Sequence, residues 1–141
     1  MLDIRLATPA HIEPLIGLDT PLADGLERHA DIAMWVERGQ CHVALRNGQV
    51  VGSVALTRTL FHNLFVELLM VAEPARRTGV GEALLRYCLS IAGGEKLFTS
   101  TNTSNLPMQG LVTRLGFIPS GRLDNLDEGD PELFCVHLPR G

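Results

Sequence analysis

Two β-rich runs, CHVALR and QVVGSVALTRT, flank Asn47-Gly48. Both turn residues accept positive φ, which makes this pair the strongest short-range hairpin signal. The sequence therefore predicts antiparallel strands near 41–46 and 49–58. A third run, about Leu64 to Val71, follows after only Thr59 to Asn63. So short a link cannot carry a crossover helix, so this strand too is expected to be antiparallel to its predecessor. A wholly parallel sheet is thereby excluded.

The flanking segments supply helices. Leu2 to Leu6 alternates apolar and charged residues as a half-buried strand does. Thr8-Pro9 reads as an N-cap followed by proline at the first helical position, opening a helix to about Leu18. Asp19-Thr20-Pro21 interrupts it. A second helix is expected over roughly Leu22 to Arg38, with Leu26, Ile32, Ala33, Trp35 and Val36 apolar and Gly39 as its stop. Val80 to Ile91 places Ala83, Leu84, Tyr87, Cys88 and Ile91 at helical spacing. Lys96 to Thr101 reads as a strand, Leu106 to Leu115 as a helix, and Phe117 to Arg122 and Leu133 to Leu138 as strands. The predicted order is β-α-α-β-β-β-α-β-α-β-β, an α/β layer structure with a mixed sheet.

Bulk properties narrow the function. A length of 141 residues suits one domain, here spanning 1–141, and 45% hydrophobic residues suffice for a packed core. A net charge of −4 argues against general nucleic-acid binding. No apolar run reaches about 18 residues, and the N-terminus lacks a signal-peptide core, so no membrane partner is expected. Cys41, Cys88 and Cys135 are odd in number and lack CxxC spacing, as in reduced thiols of a cytoplasmic protein. Cys88 and Cys135 lie in apolar stretches and read as small core residues. His11, His29, His42, His62 and His137 show no metal-ligand spacing, so no metal is expected. Of these, only His62 falls near a loop of interest.

Between the third central strand and the next helix stands Glu73-Pro74-Ala75-Arg76-Arg77-Thr78-Gly79-Val80-Gly81. The first N–H groups of a helix have no internal acceptor, and the helix dipole favours an anion there. Gly79 and Gly81 keep Cβ atoms out of the way, and Arg76 and Arg77 add charge-assisted donors. The group that fits is a phosphate or pyrophosphate. A Walker loop is absent, and the GxGxxG fingerprint lacks its third glycine, with Leu84 in that place. From the glycine spacing alone, an ordinary strand–helix turn with solvated arginines explains the segment equally well.

The segment resembles the central motif of the GNAT acetyltransferase superfamily, Q/R-x-x-G-x-G/A, with Arg76, Gly79 and Gly81 in its defining places. The lead-in ELLMVAEP resembles that family's strand. Downstream, Asn105 opens a helix that ends at Leu115-Gly116-Phe117, similar to a second family pattern. The order of elements matches from end to end. The resemblance implies a GNAT-like three-layer fold, with a mixed, mostly antiparallel sheet of about seven strands between helices. It implies acetyl-CoA as cosubstrate, its pyrophosphate on the amides of Arg77, Thr78, Gly79, Val80, Gly81 and Glu82. It implies pantetheine along the backbone of Leu69, Met70 and Val71, admitted where this strand splays from the one at Lys96 to Thr101. Asn105 matches a position that often contacts the pantetheine. A homodimer is a family expectation.

The pattern also departs from the family. Met108 replaces the usual alanine, and Val112 stands where many members carry the tyrosine that protonates the departing thiolate. Tyr87 sits at a core-type spacing in the preceding helix, its hydroxyl expected near the surface, and is a poor substitute. A thiol with a pKa near ~8.5 leaves tolerably well without an acid. A hydroxyl such as Ser104 could serve, but no catalytic acid is assigned. The candidate general base is Glu67, a lone carboxylate in an apolar strand four residues before Val71. Partial burial is expected to raise its pKa; the competing role is ordering the site or pairing with an arginine. The backbone amide near Val71 would polarise the thioester carbonyl.

Asp124, Asp127, Glu128, Asp130 and Glu132 form a late acidic cluster. Most suit a solvated turn, and Asp127 and Glu128 are the candidates for attracting a cationic amine. The sequence thus reads as a transferase moving acetyl from acetyl-CoA to a primary amine by direct attack, the acceptor a small molecule or peptide. Two alternatives stand beside it: a non-catalytic acyl-CoA sensor of the same fold, motivated by Val112, and a nucleotide site at the same loop. The acceptor pocket is expected in segments 17–40 and 59–63.

Overall fold

The computed structural model describes residues 1–18 and 25–139. Its elements are β1 (Leu2–Leu6), α1 (Ile12–Leu18), α2 (Gly25–Glu37), β2 (Cys41–Arg46), β3 (Gln49–Leu60), β4 (Asn63–Val71), α3 (Val80–Ala92), β5 (Leu97–Asn102), α4 (Leu106–Arg114), β6 (Ile118–Leu123) and β7 (Glu132–His137). Short 3-10 turns at Pro9–His11 and Glu73–Ala75 precede α1 and the loop into α3. The order is the one the sequence predicts. Seven strands form a mixed sheet in the order β1-β2-β3-β4-β5-β7-β6.

Asn47 (φ 53°) and Gly48 (φ 76°) take left-handed conformations and turn β2 antiparallel onto β3. The link from β3 to β4 is tighter than the expected Thr59 to Asn63. Phe61 (φ 50°) and His62 (φ 65°) alone make the turn, both in left-handed conformations. Two residues can only join antiparallel neighbours. β4 runs parallel to β5, pairing Leu64, Phe65 and Val66 with Leu97, Phe98 and Thr99. The expected start of α2 at Leu22 lies outside the described residues, as does the side chain of Leu26.

The chain forms two compact units, residues 1–56 with 68–87 and residues 57–67 with 88–141. In the first, Leu15, Ile32, Trp35, Val36, Cys41, Val43 and Ala55 make one apolar cluster, with Leu68 and Met70 packed against it. Leu15, Ile32 and Val43 are wholly buried, each stabilising the fold by about 1.5–3 kcal/mol. His42 is buried in the same unit, and the Tyr87 hydroxyl meets its Nδ1 at 2.9 Å, the rings edge to face at 5.1 Å. Tyr87 is therefore not a tyrosine whose hydroxyl merely reaches the surface: the bond satisfies a buried imidazole. Burial pushes the His42 pKa down.

In the second unit Leu97, Thr99, Val112, Phe117 and Val136 are buried. Gly116 (φ 92°) ends α4 and lets Phe117 turn edge-on to His137 at 5.5 Å. Burial pushes the Cys88 thiol up to about 12 and Cys41 and Cys135 up to about 11, so none is a ready thiolate. Cys135 is only half-buried. Among the described residues no helix is long and apolar enough to cross a membrane, and no group of His, Cys, Asp and Glu is arranged to hold a metal ion.

Candidate functional site

The segment between β4 and α3 is held from below. Ala75 is buried, and its amide donates to Ala72 O at 2.9 Å, closing the 3-10 turn. Arg77 (φ 66°) and Gly79 (φ 90°) then take left-handed conformations on either side of Thr78. Thr78 Oγ1 donates to Ala75 O and accepts from Arg46 Nη1 at 3.1 Å. Val80, 1% exposed, plugs the start of α3 into the core. Ala83 N donates to Gly79 O at 3.0 Å, so the amides of Val80, Gly81 and Glu82 precede the first closed helical turn. Exposed arginines at 76 and 77 flank these amides. The arrangement has the donors that an anion cradle needs, with the helix dipole adding to them.

β4 feeds this cradle with a defined backbone orientation. Ala72 N donates to Val51 O at 2.8 Å, toward β3. A trans peptide points its N–H and C=O in opposite directions. Val71 C=O therefore points away from β3, where Arg76 Nε reaches it at 3.4 Å. Met70 O lies against Gly52 of β3, so the Val71 N–H also points away from β3. Val71 thus presents both backbone groups to one edge, while Met70 spends its carbonyl on the other.

Two contributors escape a sequence reading. Arg46 braces the loop through Thr78 from a strand 32 positions away. Gly52 lets β3, β4 and α3 converge. A Cβ there would stand 2.8 Å from Val80 Cγ1, 2.9 Å from Met70 O and 3.2 Å from Leu84 Cδ1. An isolated glycine inside a strand was the available signal. Gly52→Ala is expected to destabilise the protein by about 1–3 kcal/mol through overpacking. Urea unfolding checks this: the midpoint falls and the slope stays. An unchanged midpoint would mean the three elements part at no cost.

In the second unit, Glu67 is exposed, contrary to the partial burial expected of it. Leu64 and Val66 are buried, but the strand's apolar character does not extend cover over the carboxylate. Asn105 Oδ1 accepts from Met108 N at 3.2 Å and caps α4. Val112, at the place of the family tyrosine, is buried. The acidic segment is largely a strap. Asp130 accepts from Ser104 Oγ (2.6 Å), Thr103 Oγ1 (2.8 Å) and Ser104 N (3.0 Å). These bonds, Ser104 foremost, hold its carboxyl below the usual range. Ser104 is thereby committed to Asp130. Asp127 Oδ2 accepts from Asn102 Nδ2 at 2.9 Å, Asp124 pairs with Arg122 at 3.0 Å, and Glu128 is exposed. His62 is exposed on its turn, its carbonyl accepting from Arg58 Nη1 at 3.4 Å.

Solved structures resemble this one closely. A GNAT-family acetyltransferase from Bacillus cereus ATCC 10987 is 28% identical over 100% of this chain and 99% of its own, with a TM-score of 0.89. The ribosomal-protein-S18-alanine N-acetyltransferase from Escherichia coli is 17% identical, with a TM-score of 0.80 over 99% of this chain and 94% of its own. Ard1 from Thermoplasma volcanium is 20% identical, with a TM-score of 0.80 over 99% of both chains. The last two likenesses show the fold alone. No curated protein matches the sequence. The family model for the acetyltransferase (GNAT) family matches residues 12–117. That span runs from α1 through the loop before α3 to just past α4, and on it the chain belongs to the acetyltransferase (GNAT) family.

Proposed function

We propose that this protein is one domain, residues 1–141, that moves the acetyl group of acetyl-CoA to a primary amine by direct attack. Acetyl-CoA-dependent acetyl transfer is general to its family. The observation that carries the reading is the cradle before α3: left-handed Arg77 and Gly79, the amides that precede the first closed turn, and two flanking arginines. The amides of Arg77, Thr78, Gly79, Val80, Gly81 and Glu82 take the pyrophosphate, and Arg76 and Arg77 add charge. Val71, and Leu69 one strand repeat before it, offer backbone groups to the pantetheine, whereas the Met70 carbonyl is turned to β3 and is not among them. Asn105, whose oxygen caps α4, has its amide nitrogen to offer the same arm.

Glu67 accepts a proton from the acceptor ammonium, leaving the lone pair to attack the thioester carbonyl. The Val71 N–H, turned outward, stabilises the oxyanion of the tetrahedral adduct. Its collapse expels the coenzyme thiolate; the extra proton on the attacking nitrogen passes to water as the amide forms, and the thiolate takes its proton from solvent, since Val112 has none to give. Buried Val112 also favours a second reading, an acyl-CoA-binding module without turnover.

Calorimetric titration with acetyl-CoA, with ATP and NAD as controls, tests the binding half. Micromolar, selective binding of acetyl-CoA is expected. Preference for ATP or NAD would replace this reading with a nucleotide site.

A further inference from the structure

The second unit carries a half-open sheet face that the chemistry above does not use. In the β5–β7 ladder Ser100 pairs with Phe134 and Asn102 with Glu132, so the four side chains share one face. Behind them, on the opposite face, Leu97, Thr99 and Thr101 are buried. Phe134 stacks on Phe65 of β4, with ring centroids 6.1 Å apart and planes 19° from parallel. β5 lies between those two strands. The rings meet across it where its residue, Ser100, is small. Ser100 Oγ donates to Glu132 Oε2 at 2.6 Å. Phe65, Ser100, Glu132 and Phe134 are all neither buried nor fully exposed. At the far end Asn102 ties down the acidic strap through Asp127 Oδ2 and Asp130 O.

The result is an aromatic floor with one anchored carboxylate at its edge. Serine donation occupies one acceptor site of Glu132 and fixes its direction, leaving further lone pairs for a cation. Aromatic faces attract an ammonium and cover an apolar skeleton. The floor's own residues carry no positive charge, so a carboxylate on the ligand meets repulsion without a partner. Glu67, on the same face of β4 as Phe65, is the second carboxylate there, and its task is to take the ammonium proton rather than to hold a second cation.

We propose that this face is the acceptor subsite, and that it selects a monocationic amine on a flat apolar skeleton, an aralkylamine, with Glu132 as the specificity-determining residue. The inference rests on the acetyl-transfer reading above. Glu132 draws in and holds the ammonium, and Phe65 and Phe134 carry the skeleton. Glu67, two residues beyond Phe65 on β4, then takes the proton. The role assigned to Asp127 and Glu128 from the sequence passes to Glu132, because Glu132 stands on the sheet face that carries Phe134, while Asp127 and Glu128 lie on the loop between β6 and β7.

The test loads the protein with coenzyme A as a dead-end partner and titrates 2-phenylethylamine, phenylalanine and spermidine. 2-Phenylethylamine is expected to bind at least about tenfold more tightly than phenylalanine or spermidine. Glu132→Gln keeps the bond to Ser100 and is expected to cost about tenfold in that affinity. Phe134→Leu weakens it several-fold, and neither variant changes coenzyme A affinity. Equal binding of phenylalanine, an unaffected Glu132→Gln variant, or no amine binding by protein that does take up coenzyme A would each overturn the inference. Failure to take up coenzyme A at all would overturn the acetyl-transfer reading, and this one with it.

Discussion

Glu67→Gln is expected to lower kcat by about 10²–10⁴-fold at neutral pH while leaving acetyl-CoA affinity unchanged. An alkyl ammonium has a pKa of about 10, so at neutral pH only about one molecule in a thousand carries a free lone pair. A positioned carboxylate removes that handicap after binding, when the proton has a short path to leave. Without it the enzyme must wait for amine that arrives neutral. The variant's rate should therefore climb with pH, roughly tenfold per unit, until it approaches the amine's own pKa. The wild type should level off earlier. Because Glu67 is exposed, glutamine should shift stability by no more than about 0.5 kcal/mol. Thiol release from acetyl-CoA, followed across pH, reads both effects. A variant as fast as the wild type removes Glu67 from the proton path. A wild type that binds acetyl-CoA yet transfers to no amine makes the non-catalytic reading the better one.

What the sequence disclosed was what a few neighbouring residues determine by themselves. Asn47-Gly48 had to turn, because positive φ at both positions suits little else. The spacing in Val80 to Ile91 had to be helical, and the loop before it had to leave amides unfilled. Failures came where structure depends on distant partners. Arg46 reaches Thr78, and Tyr87 reaches His42 across 45 positions. Nothing in either neighbourhood announces the other. Gly52 was visible as a glycine, but its purpose is the crossing of three elements. Glu67 misled for a related reason: its neighbours are apolar, yet side-chain cover comes from packing between elements, not from sequence neighbours. Asp130 was legible as an acidic turn residue, but the three donors that make it a clasp come from 103 and 104.

Gly81→Glu separates binding from folding in the cradle. Gly81 is the second residue of α3, and its backbone is already helical. Glutamate is a better helix former than glycine by roughly 0.5–1 kcal/mol. Its charge also complements the positive end of the helix dipole, by about 0.3–1 kcal/mol. The first acts mainly by restricting the unfolded chain and the second on the folded helix; both favour folding, so the melting temperature should hold or rise. The same carboxylate stands where a pyrophosphate must come, and it competes for the same amides. Two like charges in one cradle, plus the lost approach to the backbone, should weaken acetyl-CoA by at least about 100-fold, a coupling of some 2.7 kcal/mol. Calorimetry and thermal unfolding on one preparation read the two signs together. A fall in both would mean only that the helix was damaged. Full affinity in a folded variant would place the coenzyme phosphates elsewhere. A stable protein that no longer binds is the outcome the cradle geometry requires, because the feature that attracts the ligand is the one the new carboxylate satisfies from within.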